Sequence, residues 1–166
     1  MGQTVVVLDP FGVSGAPTGR FNPLAALDPQ SATVVDDAAL LANALIVGHS
    51  RDPHCINAAR LLLKASILLT ITLPAEERTL VVLQQLLSGE DQSIADVTRR
   101  FELDPADTAA ALVTLLKSCD RAFDGVVANI GMTLAAMPDR ERANVFSTAR
   151  VQLASAGDPP ALPGRQ

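Results

Sequence analysis

The sequence contains no tryptophan and no tyrosine, and only five phenylalanines among its 166 residues. Aromatic side chains are typical of β-strands, so their scarcity disfavours a sheet sandwich. Hydrophobic residues still make up 48% of the chain, which excludes a disordered protein. The core must therefore be built from Leu, Val, Ile and Ala, which favours helices packed through small side chains.

Positive charge is also scarce, because the chain has only two lysines and a net charge of -5. An acidic chain is a poor general binder of nucleic-acid backbones. The only two cysteines, Cys55 and Cys119, lie outside any CxxC pattern and are predicted to be reduced and buried. No signal peptide is recognisable, and the most apolar run, at 65–74, is too short to span a bilayer. We therefore expect a soluble, cytoplasmic protein.

The N-terminal segment has the pattern of a single β-strand. Residues 3–8, "QTVVVL", are predicted to form a buried strand that Asp9 and Pro10 terminate. A loop rich in proline and glycine follows over residues 10–32. One strand cannot form a sheet, so this pattern indicates a fragment of a larger α/β protein.

From residue 33 the hydrophobic period becomes helical, which predicts a bundle of about six or seven helices. The predicted helix that begins at Pro53 is expected to have Asp52 as its N-cap. The predicted helix that begins at residue 105 is expected to be capped by Asp104-Pro105, with Asp107 at position N3. The tail, 155–166, is predicted to be disordered. The predicted helices are 34–48, 53–71, one restarting after Pro74 and ending at Ser88-Gly89, 91–101, 105–136 with a kink near Gly125, and 138–154.

The motifs for catalysis are incomplete. "VVVLD" has the outline of a Walker B strand, but residues 12–20 lack the spacing and the lysine of a Walker A loop. His49, His54 and Cys55 lie close in sequence without the spacing of a metal site. No serine has the context of a nucleophile elbow. We therefore predict that this chain is not an enzyme and that it binds no metal.

Residues 93–118 resemble a helix-turn-helix. The second helix begins "PADTAAALVTLL", which suits packing in a core better than reading of DNA bases. Three arginines, Arg99, Arg100 and Arg121, are candidates for contact with a substrate or DNA. The alternative is a solvated face in which they pair with nearby acidic residues.

Three segments together resemble the TraG/TraD-type coupling proteins of type IV secretion and conjugation: "MGQTVVVLDPFGVSGAPTGRFNPLAAL", "DDAALLANALIV" and "RDPHCINAARLLLKASIL". The resemblance covers residues 2–152, although Cys55 stands where the family pattern has an aromatic residue. The family-motif positions are Asp9, Pro10, Phe11, Gly12, Phe21, Asn22, Pro23, Asp52, Pro53 and His54.

The resemblance implies a part of a membrane-anchored, hexameric, RecA-like ATPase. It assigns residues 1–32 to the nucleotide-binding core and 33–154 to an inserted all-α domain that recognises a relaxase–DNA complex or a secreted protein substrate, and contacts single-stranded DNA. ATP and magnesium are the cofactors of the full-length family, and none is expected for this chain because the Walker motifs are absent. The expected partners are the relaxase or another secreted protein, single-stranded DNA and the rest of the hexamer, at the cytoplasmic face of the inner membrane but without direct membrane contact.

Two other functions are compatible with the sequence. One is a free-standing helical adaptor or regulator that binds a protein partner, and the other is a helix-turn-helix-like DNA binder. Steep salt dependence of single-strand binding would indicate DNA contact through the arginines. Salt-insensitive binding would indicate an apolar groove for a protein.

Overall fold

The computed structural model describes residues 22–47, 53–104 and 107–157. These ranges are mainly helical, as predicted, and the predicted strand at 3–8 lies outside them, together with the motif positions at 9–12, Phe21 and Asp52. Two short 3-10 helices span Pro23–Ala26 and Ala75–Glu77. The α-helices are α1 Val34–Leu45, α2 Pro53–Thr70, α3 Leu80–Ser88, α4 Gln92–Arg100, α5 Thr108–Ser118, α6 Val126–Ala135 and α7 Asp139–Gly157.

Helix α2 forms the centre of the bundle. It packs against α1, α3, α6 and α7, and most of its residues are buried. A helix that is apolar around most of its circumference is expected to be buried in this way. Its two buried hydroxyl residues donate along the helix, Ser66 to the Leu62 carbonyl at 3.0 Å and Thr70 to the Ser66 carbonyl at 2.8 Å, so neither polar group is left unpaired. Among the helices described, none has both the length and the hydrophobicity needed to cross a bilayer.

The helix ends agree only partly with the prediction. Helix α2 starts at Pro53 and α3 ends at Ser88 before Gly89, as expected. The N-cap predicted for α5 was wrong, because Asp107 is the N-cap and its carboxylate accepts from the Ala110 amide at 2.8 Å. Helix α3 begins only after Thr79, whose hydroxyl accepts from the Val82 amide at 3.2 Å. Helix α7 continues to Gly157, so the first three residues assigned to a disordered tail are helical.

The prediction of one helix over 105–136 with a kink near Gly125 was also wrong, because the chain forms two separate helices there. The chain leaves the helix after Ser118 and turns through 119–125, where Phe123, Asp124 and Gly125 have φ values of 52°, 54° and 79°. The chain then reverses, so that α6 packs back on α5 in the most extensive contact between any two described elements. The apolar pattern continues through the turn, which explains why periodicity alone did not reveal the break.

The C-terminus of α4 has the geometry of a Schellman motif. The Leu103 amide donates to the Thr98 carbonyl at 3.0 Å, and Glu102, which follows the C-cap residue Phe101, has a φ of 52°. This left-handed position is one that glycine usually occupies, because a side chain there crowds the backbone.

We predict that Glu102→Gly raises the free energy of unfolding by about 1 kcal/mol, because glycine relieves the left-handed strain. Urea denaturation followed by circular dichroism measures the change. Glu102→Ala is the matched control, since it removes the same carboxylate and keeps the Cβ atom. If the alanine variant gained as much stability as the glycine variant, the carboxylate and not the backbone would be the source of strain.

Candidate functional site

The described residues form an open groove of about 820 Å³ on their surface. We call it the main groove. One wall is the segment 28–35 that leads into α1, and the floor includes Ile71 and Thr72 at the end of α2. The opposite wall is the α5–α6 turn, residues 121–124, and Arg78 completes the rim. Segments far apart in sequence therefore meet at one surface.

The motif residues Asn22 and Pro23 lie next to this groove and hold its rim in place. The Asn22 side-chain amide donates to the Arg78 carbonyl at 2.6 Å, and its Oδ1 accepts from the Leu24 amide at 3.1 Å. Pro23 occupies the first position of the 3-10 helix, where its missing N–H costs nothing. The Arg78 Nε in turn donates to the Leu73 carbonyl at 2.8 Å. This network fixes Arg78 between the first described segment and the α2–α3 connection.

Charges of both signs line the main groove. Arg78 and Arg121 supply two guanidinium groups, and Asp28 and Asp124 supply two carboxylates. Arg121 is exposed, so its guanidinium is accessible to a partner. A groove with balanced charge suits a protein surface with its own pairs of charges better than a run of phosphates.

The wall that carries Arg121 is conformationally strained. Phe123 and Asp124 both adopt the left-handed conformation, which is rare for a residue as bulky as phenylalanine. Residues held in such conformations are concentrated at binding and active sites. The strained turn and the predicted contact residue Arg121 therefore coincide at the main groove.

Arg99 and Arg100 lie elsewhere, in the last turn of α4. The Arg99 Nη1 is 3.1 Å from the Asp96 carboxylate, and the Arg100 guanidinium lies over the Phe101 ring at 5.6 Å from its centroid. Neither Arg99 nor Arg100 is among the residues that line the main groove, whereas Arg121 is. The main groove therefore contains one of the three predicted arginines.

The histidine and cysteine candidates have structural contacts. His54 Nδ1 lies 2.9 Å from the Glu141 carboxylate, which joins the first turns of α2 and α7. Cys55 is buried with its Sγ 3.4 Å from the Thr148 hydroxyl. Burial, reinforced by the Asp120 charge and opposed by a hydrogen bond with Ser118, raises the pKa of the Cys119 thiol. A protonated thiol is a poor nucleophile at neutral pH. Within the described ranges, no three His, Cys, Asp or Glu side chains are grouped to hold a metal ion.

Helix α5 is a core helix, as the core-hairpin interpretation of residues 93–118 predicted. It packs against both α4 and α6, and the residues exposed on it are Lys117 and Ser118 at its C-terminal end. A recognition helix must present a row of side chains to base edges. The described geometry of α5 leaves no such row.

The sequence analysis selected Arg121 as a candidate but did not select Arg78. It predicted a kink near Gly125, and the turn signal of the dipeptide Asp124-Gly125 could have indicated a full break between α5 and α6. No local signal identifies Arg78, because its partner Asn22 is 56 residues away.

Comparison with known proteins gave one family. The family model described as "Type IV secretory system Conjugative DNA transfer" matches residues 1–160. Neither the curated proteins nor the solved structures gave a match. The family match confirms the resemblance to TraG/TraD-type coupling proteins on nearly the whole chain. This chain therefore belongs to the type IV secretory system conjugative DNA transfer family.

Proposed function

We propose that the helical domain, residues 33–154, recognises the substrate of a conjugative coupling protein. The substrate is a relaxase–DNA complex or another secreted protein, and the domain acts as part of a hexamer at the cytoplasmic face of the inner membrane. Residues 1–32, including the strand predicted at 3–8, would belong to the nucleotide-binding core. Contact with single-stranded DNA is secondary to contact with protein in this proposal.

The observation that carries the proposal is the main groove. It joins the strained α5–α6 turn, the exposed Arg121 and the rim that Asn22 holds through the Arg78 carbonyl. Asn22 belongs to the segment that carries the family resemblance, so one family-motif position is bonded directly to the rim of the groove. A fixed concave surface with paired charges is suited to selecting a protein partner.

We propose further that this chain does not hydrolyse ATP alone. Phosphate binding requires a loop of backbone amides and a lysine, and the sequence has neither a GxxxxGK[ST] nor a lysine in its glycine-rich segment. ATP and magnesium would be bound by other parts of a full-length coupling protein. The role of the present chain is therefore recognition.

We predict that Arg121→Glu weakens binding to the relaxase–DNA complex of the same conjugative system by about tenfold, because it replaces attraction with repulsion at the groove wall. Biolayer interferometry with the full chain measures the affinity. Arg150→Glu is the matched control, since Arg150 is exposed on α7 and does not line the main groove. Equal losses in both variants would show that net charge, and not the groove, determines binding.

The same variants separate protein contact from DNA contact. If Arg121 contacts mainly protein, its reversal should weaken binding of the relaxase without DNA as much as binding of the complex. If it contacts phosphates, the reversal should lower the salt dependence of binding to a labelled oligothymidine. If the reversal lowered the salt dependence of oligothymidine binding but left relaxase binding unchanged, the proposal that protein is the main partner of the groove would be contradicted.

A further inference from the structure

A smaller pocket lies between α1 and α2, away from the main groove. Its volume is about 330 Å³, and we call it the α1–α2 pocket. We propose that it binds an acidic segment of a protein partner, with a carboxylate and a neighbouring leucine-sized side chain inside it. The inference does not depend on which substrate the main groove selects. The pocket is lined by Ala39, Asn43, Asn57, Arg60, Leu61 and Lys64.

The charge of the α1–α2 pocket is opposite to that of the whole chain. Its lining contains two cations, Arg60 and Lys64, and no acidic residue. The chain as a whole carries a net charge of -5, and the main groove contains as many aspartates as arginines. Within the described residues Lys64 has no ion pair. A positive pocket on an acidic protein attracts a negative group.

Arg60 is held in a fixed position in this pocket. Its Nη2 donates to the Ile46 carbonyl at 3.1 Å and caps the C-terminus of α1, while its Nη1 donates to Asn57 Oδ1 at 3.4 Å. The buried Nε of the same guanidinium has no hydrogen-bond partner among the described residues. Each Nη atom carries a second N–H besides the one that it donates within the protein, and those two N–H groups remain for the acceptor oxygens of an occupant.

Asn57 adds a donor of known orientation. Because its Oδ1 accepts a hydrogen bond from Arg60, its Nδ2 is the group that can donate a hydrogen bond to a ligand. The pocket therefore combines ammonium, guanidinium and amide donors without a competing carboxylate in its wall. This set of donors matches the acceptor oxygens of Asp or Glu.

The apolar part of the lining argues for a protein segment over a nucleic acid. Ala39 and Leu61 form the apolar part of the pocket wall, and Leu61 is 39% exposed there. Aliphatic side chains suit a leucine or similar residue of a partner. Single-stranded nucleic acids instead require aromatic side chains on which bases stack, and the lining contains none.

The test uses the two lysines of the chain as a matched pair. Lys64 lines the α1–α2 pocket, and Lys117 is exposed at the end of α5. The probe is a short fluorescein-labelled peptide of leucine and glutamate at helical spacing, titrated with the full chain and followed by fluorescence anisotropy. Lys64→Glu should weaken binding by about tenfold and Lys117→Glu by less than about twofold, because the two changes alter the net charge equally and the local charge differently.

Two further measurements complete the test. Lys64→Gln removes the charge without reversing it and should give an intermediate loss, which keeps the test valid if the glutamate variant is poorly folded. A peptide with glutamine in place of glutamate should bind several-fold more weakly. Equal effects of the Lys64 and Lys117 reversals, no binding of the acidic peptide, or displacement of the peptide by an oligothymidine in preference to the unlabelled peptide would each overturn the proposal.

Discussion

Leu24→Ala should lower the free energy of unfolding by about 2–5 kcal/mol, the usual cost of this change at a fully buried site. Leu24 is 0% exposed and belongs to the same core cluster as the buried face of α2. Asn22 fixes it there, because the Asn22 side chain bonds both the Leu24 amide and the Arg78 carbonyl. A smaller side chain would leave a cavity that the surrounding helices cannot close. Urea denaturation followed by far-ultraviolet circular dichroism measures the loss.

Leu40→Ala is the control for this prediction. It makes the same chemical change at a side chain that is 67% exposed, where an effect within about 0.5 kcal/mol is expected. A large loss only at Leu24 would show that the segment after Asn22 is part of the helical body, although the proposed division assigns residues 1–32 to the nucleotide-binding core. A loss at Leu24 as small as that at Leu40 would contradict our account of this segment and favour a division after residue 32.

Local sequence signals predicted much of the bundle because many helix ends depend on local residues. Pro53 and Gly89 act within one turn of the helices that they delimit, and both ends were predicted correctly. The sequence predicted only a kink near Gly125 and not the full break between α5 and α6, because Phe123 and Asp124 adopt left-handed conformations that their residue types do not favour. Such conformations are imposed by packing of the two helices, which sequence periodicity does not describe.

The candidate site was less predictable than the fold. Arg121 could be selected by its charge, but Arg99 and Arg100 were selected on the same ground and lie in the last turn of α4, outside the main groove. Arg78 owes its place to a hydrogen bond across 56 residues of sequence. A groove built from three distant segments has no local signature, so its residues become visible only when the chain is folded.

Gly131→Leu should lower the free energy of unfolding by about 2 kcal/mol. A Cβ atom at Gly131 would lie 2.9 Å from the Lys117 backbone nitrogen and 3.0 Å from the Leu116 Cβ atom. Backbone cannot move aside as a flexible side chain can, so overpacking at this contact is expected to cost about 3 kcal/mol. The better helix propensity of leucine returns only about 1 kcal/mol. Thermal and urea denaturation of the variant measure the net loss.

Asn129→Leu is the control, because Asn129 is exposed on the same helix and its replacement changes helix propensity without entering the contact between α5 and α6. It should leave stability unchanged or raise it by a few tenths of a kcal/mol. If Gly131→Leu were as stable as this control, the two helices would not approach as closely as described. The contact matters for function as well, since α5 and α6 hold between them the turn that carries Arg121. A variant that separates the helices should therefore also weaken binding at the main groove.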